Sequence, residues 1–498
     1  MSWADARERA ARHGLFVISG GAVAGLTVLA VLERRATAAF FESAQALMAQ
    51  FTGWLLIFIM NAVLVFVGYL ALSRHGQRRI GGPDARPEYS RVDWFGMLFA
   101  AGMGIGLLFY SVAEPIQHFL AFEPYFGDRA TAARVAMEMT FLHWGLHPWA
   151  MYALVGLALA FFRYSRSQGL DFEAPLHELM PPGRARWFGG AVNLAAILGT
   201  VFGVCTSLGL GAAQAAAGIA RMTGATHGPH LEFAVIAFVC AIAMVSVLAG
   251  VGRGIRRFSL VNLYLASALL VFVLVAGNTL FVLKALGEHL GNYLNDLLVL
   301  ATWNETYTGT NWQERWTVFY WSWWIAWSPF VGMFIAQISR GRTIREYVAG
   351  VVLVPAAFNC LWMTVFGANA LYLELFQATG LAGSVEADPS ASLYAFLGTL
   401  PLPLFSTALA VMVVMLFFVT SADSGALVVS TLTSHGNYPS ALQRGFWTLV
   451  IGAIAAALLN AGGLSALQAA TISAGVPFGI VVLALIPALW RALNASSR

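Results

Sequence analysis

The stretch from Tyr320 to Phe330 places Trp321, Trp323, Trp324 and Trp327 within seven positions of a hydrophobic segment, just ahead of Ser328-Pro329. On a helix, Trp323 and Trp327 fall one turn apart on one face, with Trp324 beside them. Aromatic faces attract cations, and a quaternary ammonium group, which has no hydrogen to donate, is recognised by such faces and by shape. Three desolvated contacts of about 0.5–2 kcal/mol each would supply a few kcal/mol, and would select against a primary ammonium that loses its hydrogen bonds to water. The other use of tryptophan here is an interfacial belt, one or two rings at each end of a membrane helix.

A second cluster, His143-Trp144-Gly-Leu-His147-Pro-Trp149-Ala-Met-Tyr152, adds aromatic rings. The run Ala100-Ala101-Gly102-Met103-Gly104-Ile105-Gly106 sets three glycines at alternate positions, which weakens a helix and can expose backbone N–H groups to a carboxylate. Close packing through small residues is the other reading of that run.

These residues need elements to carry them. Hydrophobic residues make up 59% of the 498-residue chain and charged residues 10%, against about a quarter charged in soluble domains. The sequence therefore reads as an all-α polytopic membrane protein. Apolar runs of about 20 residues predict twelve spans, at 13–31, 52–73, 95–119, 138–163, 188–219, 231–249, 258–283, 316–338, 346–373, 400–422, 445–463 and 468–490. Basic residues are retained on the cytoplasmic side. With both termini inside, only Arg34, Arg35, Arg129, Arg134, Arg221, Lys284 and Arg315 of the 28 Lys and Arg fall outside. The net charge of +4 thus reports topology, and no nucleic-acid role is read into it. Cys205, Cys240 and Cys360 all fall within spans, which implies no disulfide framework.

The chain is expected to form one transporter domain over 1–498. Two extra helices at 13–73 precede a five-helix half at 95–283, an amphipathic helix and loop at 284–315, and a second half at 316–490. Inverted repeats of this kind place a site at the midplane, where helices are broken. The glycine run is expected to break span 3, and Ser328-Pro329 to break span 8. Leu286, Leu290, Tyr293, Leu294, Leu297 and Leu298 recur at helical spacing, as in a helix lying along the outer surface.

Gly102 to Pro115, His143 to Tyr152, Trp321 to Arg345 and Thr420-Ser-Ala-Asp-Ser-Gly425 resemble signatures of the betaine/carnitine/choline transporter family, across essentially all twelve spans. The resemblance implies a quaternary ammonium substrate, the inverted-repeat fold of sodium-coupled symporters and a homotrimer in membrane lipid. It assigns Trp144, Trp149, Tyr152, Trp323, Trp324 and Trp327 to an aromatic box, and Gly102, Met103, Gly104, Ile105 and Gly106 to ligand approach. It implies sodium as coupling ion, with no other cofactor and no transition metal. One sodium site would use the hydroxyls of Thr420 and Ser421 with carbonyls of Ala100, Met103 and Phe417. A second would use Thr200 and Phe330; the family's next hydroxyl position is Val204 here, with Thr206 nearby on a different face.

Glu114 and Asp423 are ionisable groups inside spans, which raises a functional reading; capping broken helices or pairing with arginine is the other. His143 and His147 are expected in hydrogen-bonded structural roles, and Arg340, Arg342 and Arg345 as positive-inside anchors or part of an inner gate. Nothing resembles a nucleotide-binding loop or a catalytic triad, so the chain is not expected to be an enzyme. Import of glycine betaine by sodium symport is the expected function. Choline or carnitine uptake, proton-coupled or by exchange, and a non-transporting sensor are the alternatives. Without long charged tails, transport is expected to respond little to osmolality.

Overall fold

A computed structural model of the protein describes residues 3–102, 104–248, 252–434 and 439–495. Among these residues the elements are helices; the one sheet-like contact is an antiparallel bridge between Arg79 and Thr343. Helices α1 (Trp3–Leu32) and α2 (Arg34–Leu72) come first. They are followed by α3 (Arg91–Gly102), α4 (Ile105–Phe126), α5 (Arg129–Trp144), α6 (Leu146–Ala160), α7 (Pro182–Thr223), α8 (Pro229–Leu248), α9 (Gly252–Ala276) and α10 (Thr279–Thr302). Then come α11 (Phe319–Ile338), α12 (Ile344–Val348), α13 (Val354–Met363), α14 (Asn369–Phe376), α15 (Leu381–Ala387), α16 (Ser392–Leu397), α17 (Pro403–Thr433) and α18 (Ala441–Ala495).

Nine helical segments among the described residues are long and apolar enough to cross a membrane, or ten if the bent α9–α10 pair counts as one span. The protein is an all-α polytopic membrane protein. The expected twelve spans do not appear as twelve such segments. Spans 445–463 and 468–490 run together as α18, which bends at Gly462 and Gly463, where the backbone leaves helical geometry. Helix α11, rich in tryptophan, is not among the nine, although it packs against α6, α7 and α18.

The glycine run breaks span 3 as expected: α3 ends at Gly102, Gly104 is extended, and α4 starts at Ile105. The expected break at Ser328-Pro329 is absent. Pro329 has no N–H for the Ile325 carbonyl, but the Ser328 hydroxyl donates to that carbonyl at 2.7 Å, and α11 runs on to Ile338. Span 138–163 is instead divided, at Gly145. A Cβ there would sit 2.5 Å from the Phe141 carbonyl oxygen and 2.9 Å from the Tyr293 hydroxyl. The same hydroxyl accepts the Leu146 N–H, one of the first-turn donors of α6 that no helix bond satisfies.

The expected amphipathic helix is α10, which turns 108° from α9 and is capped by the Asn278 side chain accepting from Phe281 N–H. At the other end of the bundle, Arg342 is buried over the Trp94 ring and donates to the Tyr89 and Ser90 carbonyls, while Arg340 pairs with Glu88. Both thus bond to the loop before α3.

Helix α18 crosses α11 so closely that a Cβ on Gly475 would lie 2.5 Å from the Ser322 carbonyl oxygen. Overpacking of this kind costs about 1–3 kcal/mol. Gly475→Ala is expected to lower the melting temperature of the detergent-solubilised protein by several degrees. Gly287→Ala on α10, with open space around it, is expected to leave it unchanged or raise it slightly.

Candidate functional site

One cavity collects residues from six helices. The start of α4 and the residue before it supply Gly104, Ile105, Gly106 and Leu107, and α5 supplies Trp144. Pro148, Trp149 and Tyr152 come from α6, and Ser207 from α7. Trp323, Trp324, Trp327 and Val331 come from α11, with Asn359 of α13 completing the wall. The six aromatic residues of the expected box therefore line a single cavity together with Gly104, Ile105 and Gly106. Gly102 ends α3 just before it, and Met103 lies outside the described residues.

The rings face inward because their donors are anchored elsewhere. Trp323 and Trp327 both donate their indole N–H to the Gly203 carbonyl of α7, at 3.3 and 2.8 Å. Trp324 donates to the His143 carbonyl at 2.9 Å, and Trp144 to Glu114 Oε2 at 2.7 Å. Asn359 donates to the Trp144 carbonyl at 3.0 Å, occupying an acceptor freed where α5 stops. Trp321 turns away from the cavity, against the His143 and His147 rings.

Backbone must come close to these rings, and glycine permits it. A Cβ on Gly106 would lie 2.5 Å from Trp323 Cη2 and 3.0 Å from Trp144 Cη2. One on Gly203 would lie 2.7 Å from Trp327 Cδ1. Beside the rings, the Leu107 N–H of α4 donates to the Gly104 carbonyl at 3.1 Å, while those of Ile105 and Gly106 have no carbonyl one turn earlier in a helix to accept them. With the positive end of the helix dipole they suit an anion. Ring faces for a cation and backbone donors for an anion thus share one space.

That space is narrow. Trp323 and Trp324 stack at 5.0 Å and 12°, and Trp144 meets Trp324 edge-on at 5.0 Å. Only about 30 Å³ remains for the centre of a water molecule to move in, room for a couple of waters.

The expected ion ligands are placed as follows. Thr420, half-buried on α17, donates to the Leu416 and Phe417 carbonyls at 3.0 and 3.1 Å, with half-buried Ser421 next to it. Met103 and the Ala100 side chain lie outside the described residues. Thr200 donates to the Ala196 carbonyl at 2.8 Å. Phe330 stands edge-on to Trp327 at 5.2 Å. Thr206 turns to α18, donating to the Leu467 carbonyl and meeting the Thr471 hydroxyl. Val204 is buried facing Gly425 of α17.

Glu114 makes contacts that sequence reasoning did not anticipate. Its Oε1 accepts from His143 Nδ1 at 2.7 Å and His118 Nε2 at 3.1 Å, and its Oε2 from Trp144 Nε1 and the Tyr320 hydroxyl at 2.7 and 2.6 Å. The carboxylate thus joins α4, α5 and α11. The expected pairing with arginine is found instead at Asp423, 3.3 Å from Arg444 of α18. The four-residue spacing of Glu114 and His118 was a readable signal; the approach of His143 and Tyr320 was not. His147 lies 3.3 Å from the Asn61 side-chain oxygen.

The BCCT family, described as betaine/carnitine/choline family transporter, matches residues 14–498. The chain is 41% identical over 447 residues to a glycine betaine transporter of Acinetobacter baylyi, covering 89% of this chain and 67% of that protein. It is 41% identical over 444 residues to glycine betaine transporter 1 of Vibrio parahaemolyticus, covering 88% and 84%. A glycine betaine/proline/choline transporter of the same organism is 36% identical over 502 residues, covering 97% and 90%. The chain belongs to the betaine/carnitine/choline transporter family.

Proposed function

We propose that this transporter imports glycine betaine across the bacterial inner membrane by sodium-coupled symport with alternating access, with both termini cytoplasmic. The observation that carries the reading is the shared cavity: six aromatic side chains stand beside the N-terminus of α4. A betaine presents one methylated onium head and one carboxylate, and the two halves of the cavity match them. Choline would engage the rings but leave the α4 donors without an anion. Two of the relatives named above are described as glycine betaine transporters, which supports the same choice. The closely set rings are read as an occluded arrangement that must part to admit substrate from either side. The two five-helix halves would move against each other, in a trimer embedded in lipid.

In this reading sodium binds to the hydroxyls of Thr420 and Ser421 and to the carbonyls of Phe417, Ala100 and Met103, the set that the family resemblance implies. We assign a single sodium. The second location would draw on Thr200, Thr206 and Phe330, but Val204 offers no oxygen and Thr206 is committed to α18. One charge moved through 100 mV sustains about a fiftyfold accumulation of a zwitterion, and two would sustain on the order of a thousandfold.

Uptake of labelled betaine, choline and carnitine into proteoliposomes, with sodium replaced in turn by potassium and by a proton gradient, tests this directly. Betaine uptake that needs sodium and moves one charge per molecule is expected. Two charges would restore the second site, and uptake indifferent to sodium would sink the coupling. Trp327→Leu is expected to raise the KM for betaine by about two- to thirtyfold, the loss of one cation–π contact. Trp321→Leu, whose ring faces away, is expected to change it little; equal effects would mean that the cage is misassigned.

A further inference from the structure

Apart from the cage, the described residues gather one set of metal-type ligands: Glu114 and His118, one turn apart on α4, with His143 of α5. One ligand atom of each lies within 4.8 Å of the others, and all three side chains are fully buried. We propose that this triad binds a divalent transition-metal ion of the Zn2+ class, and that the bound ion restrains Trp144 and inhibits transport. The inhibitory half rests on the transport reading above; the binding half stands without it.

Two histidines and one carboxylate, with a fourth position open, are a ligand set that Zn2+ takes readily. Glu114 Oε1 lies 3.1 Å from His118 Nε2 and 2.7 Å from His143 Nδ1. Metal bonds of about 2.0–2.2 Å put tetrahedral ligand atoms roughly 3.4 Å apart, so the two histidine nitrogens each need to draw back from Oε1 by roughly half an ångström. Supporting contacts are already made for Glu114 and His143. Oε2 is fixed by Trp144 Nε1 and the Tyr320 hydroxyl, and His143 Nε2 lies 3.1 Å from the Thr317 hydroxyl. Such outer partners set the orientation and tautomer of metal ligands. To bind, each neutral imidazole turns a lone pair to the ion and carries its proton on the other nitrogen. For His143 that proton faces Thr317; for His118 it goes to Nδ1, which is buried without a hydrogen-bond partner.

The triad also has an approach and a lever. Trp312 lies against both histidine rings, at 4.9 and 5.9 Å, and lines a cavity of about 820 Å³ whose wall includes Arg315 and the Glu138 and Asp296 carboxylates, both of which pair with Arg134. A cation in that cavity is one indole away from the triad. On the other side, Glu114 holds Trp144, a ring that must move for the cage to open.

The test uses the purified full chain, titrated with Co2+ and then Zn2+. Expected is a saturable visible absorption from one Co2+ per chain with nitrogen and oxygen ligands, abolished by Zn2+, and a rise in melting temperature with Zn2+. Loss of an outer partner alone weakens metal by about 10–100-fold, so His118→Gln is expected to weaken Co2+ binding by about a hundredfold. In proteoliposomes, Zn2+ is expected to suppress betaine uptake by the unmodified protein. His118→Gln should lose that sensitivity, measured against its own metal-free rate. Absence of a saturable Co2+ signal in the unmodified protein, or undiminished affinity in a folded His118→Gln variant, overturns the site. Uptake unaffected by saturating Zn2+ overturns the inhibitory half. A chain that binds Co2+ as described yet transports no onium solute supports the site and counts against the transport reading.

Discussion

An indole buried among apolar helices has one N–H to place, and where that donor goes decides which way the ring faces. In a bilayer no water is at hand to accept it, so the acceptor must come from the protein. Here the Gly203 carbonyl accepts from both Trp323 and Trp327, the His143 carbonyl from Trp324, and Glu114 from Trp144. Those four bonds leave the ring faces free to line a cavity. The glycines at 106 and 203 follow from the same arrangement, since rings aimed this way come closer to the backbone than a Cβ allows.

Glu114 extends the constraint across three helices. A carboxylate in this setting is tolerable when its acceptor directions are filled, and four donors fill them. The residue that steadies Trp144 is therefore itself steadied by α4, α5 and α11. Cavity wall and buried carboxylate form one hydrogen-bonded unit, and a perturbation of either is felt by the other.

Much of this was legible in the chain. Membrane class, the broken third span and the aromatic box follow from composition, alternate glycines and tryptophans at helical spacing, because each is a local pattern. What was missed depends on side-chain bonds and approaches that propensity does not encode. Pro329 looked like a break because the Ser328 side chain's substitute bond to Ile325 is invisible to a propensity argument. Gly145, to which no break was assigned, parts two helices where Tyr293, from far along the chain, presses in. Hydroxyls in spans 5 and 10 are weak guides to an ion site for a physical reason. Thr200 and Thr420 bond their own helices, as hydroxyls in apolar surroundings commonly do.

The stack of Trp323 on Trp324 has an optical consequence. Two indoles lying nearly parallel at 5.0 Å share their electronic excitations, and that sharing decays steeply once the planes separate or rotate. The near-ultraviolet circular dichroism of the chain should therefore carry a contribution from this pair and from Trp144, which meets Trp324 at the same distance, so that movement of these cavity rings is readable without a label.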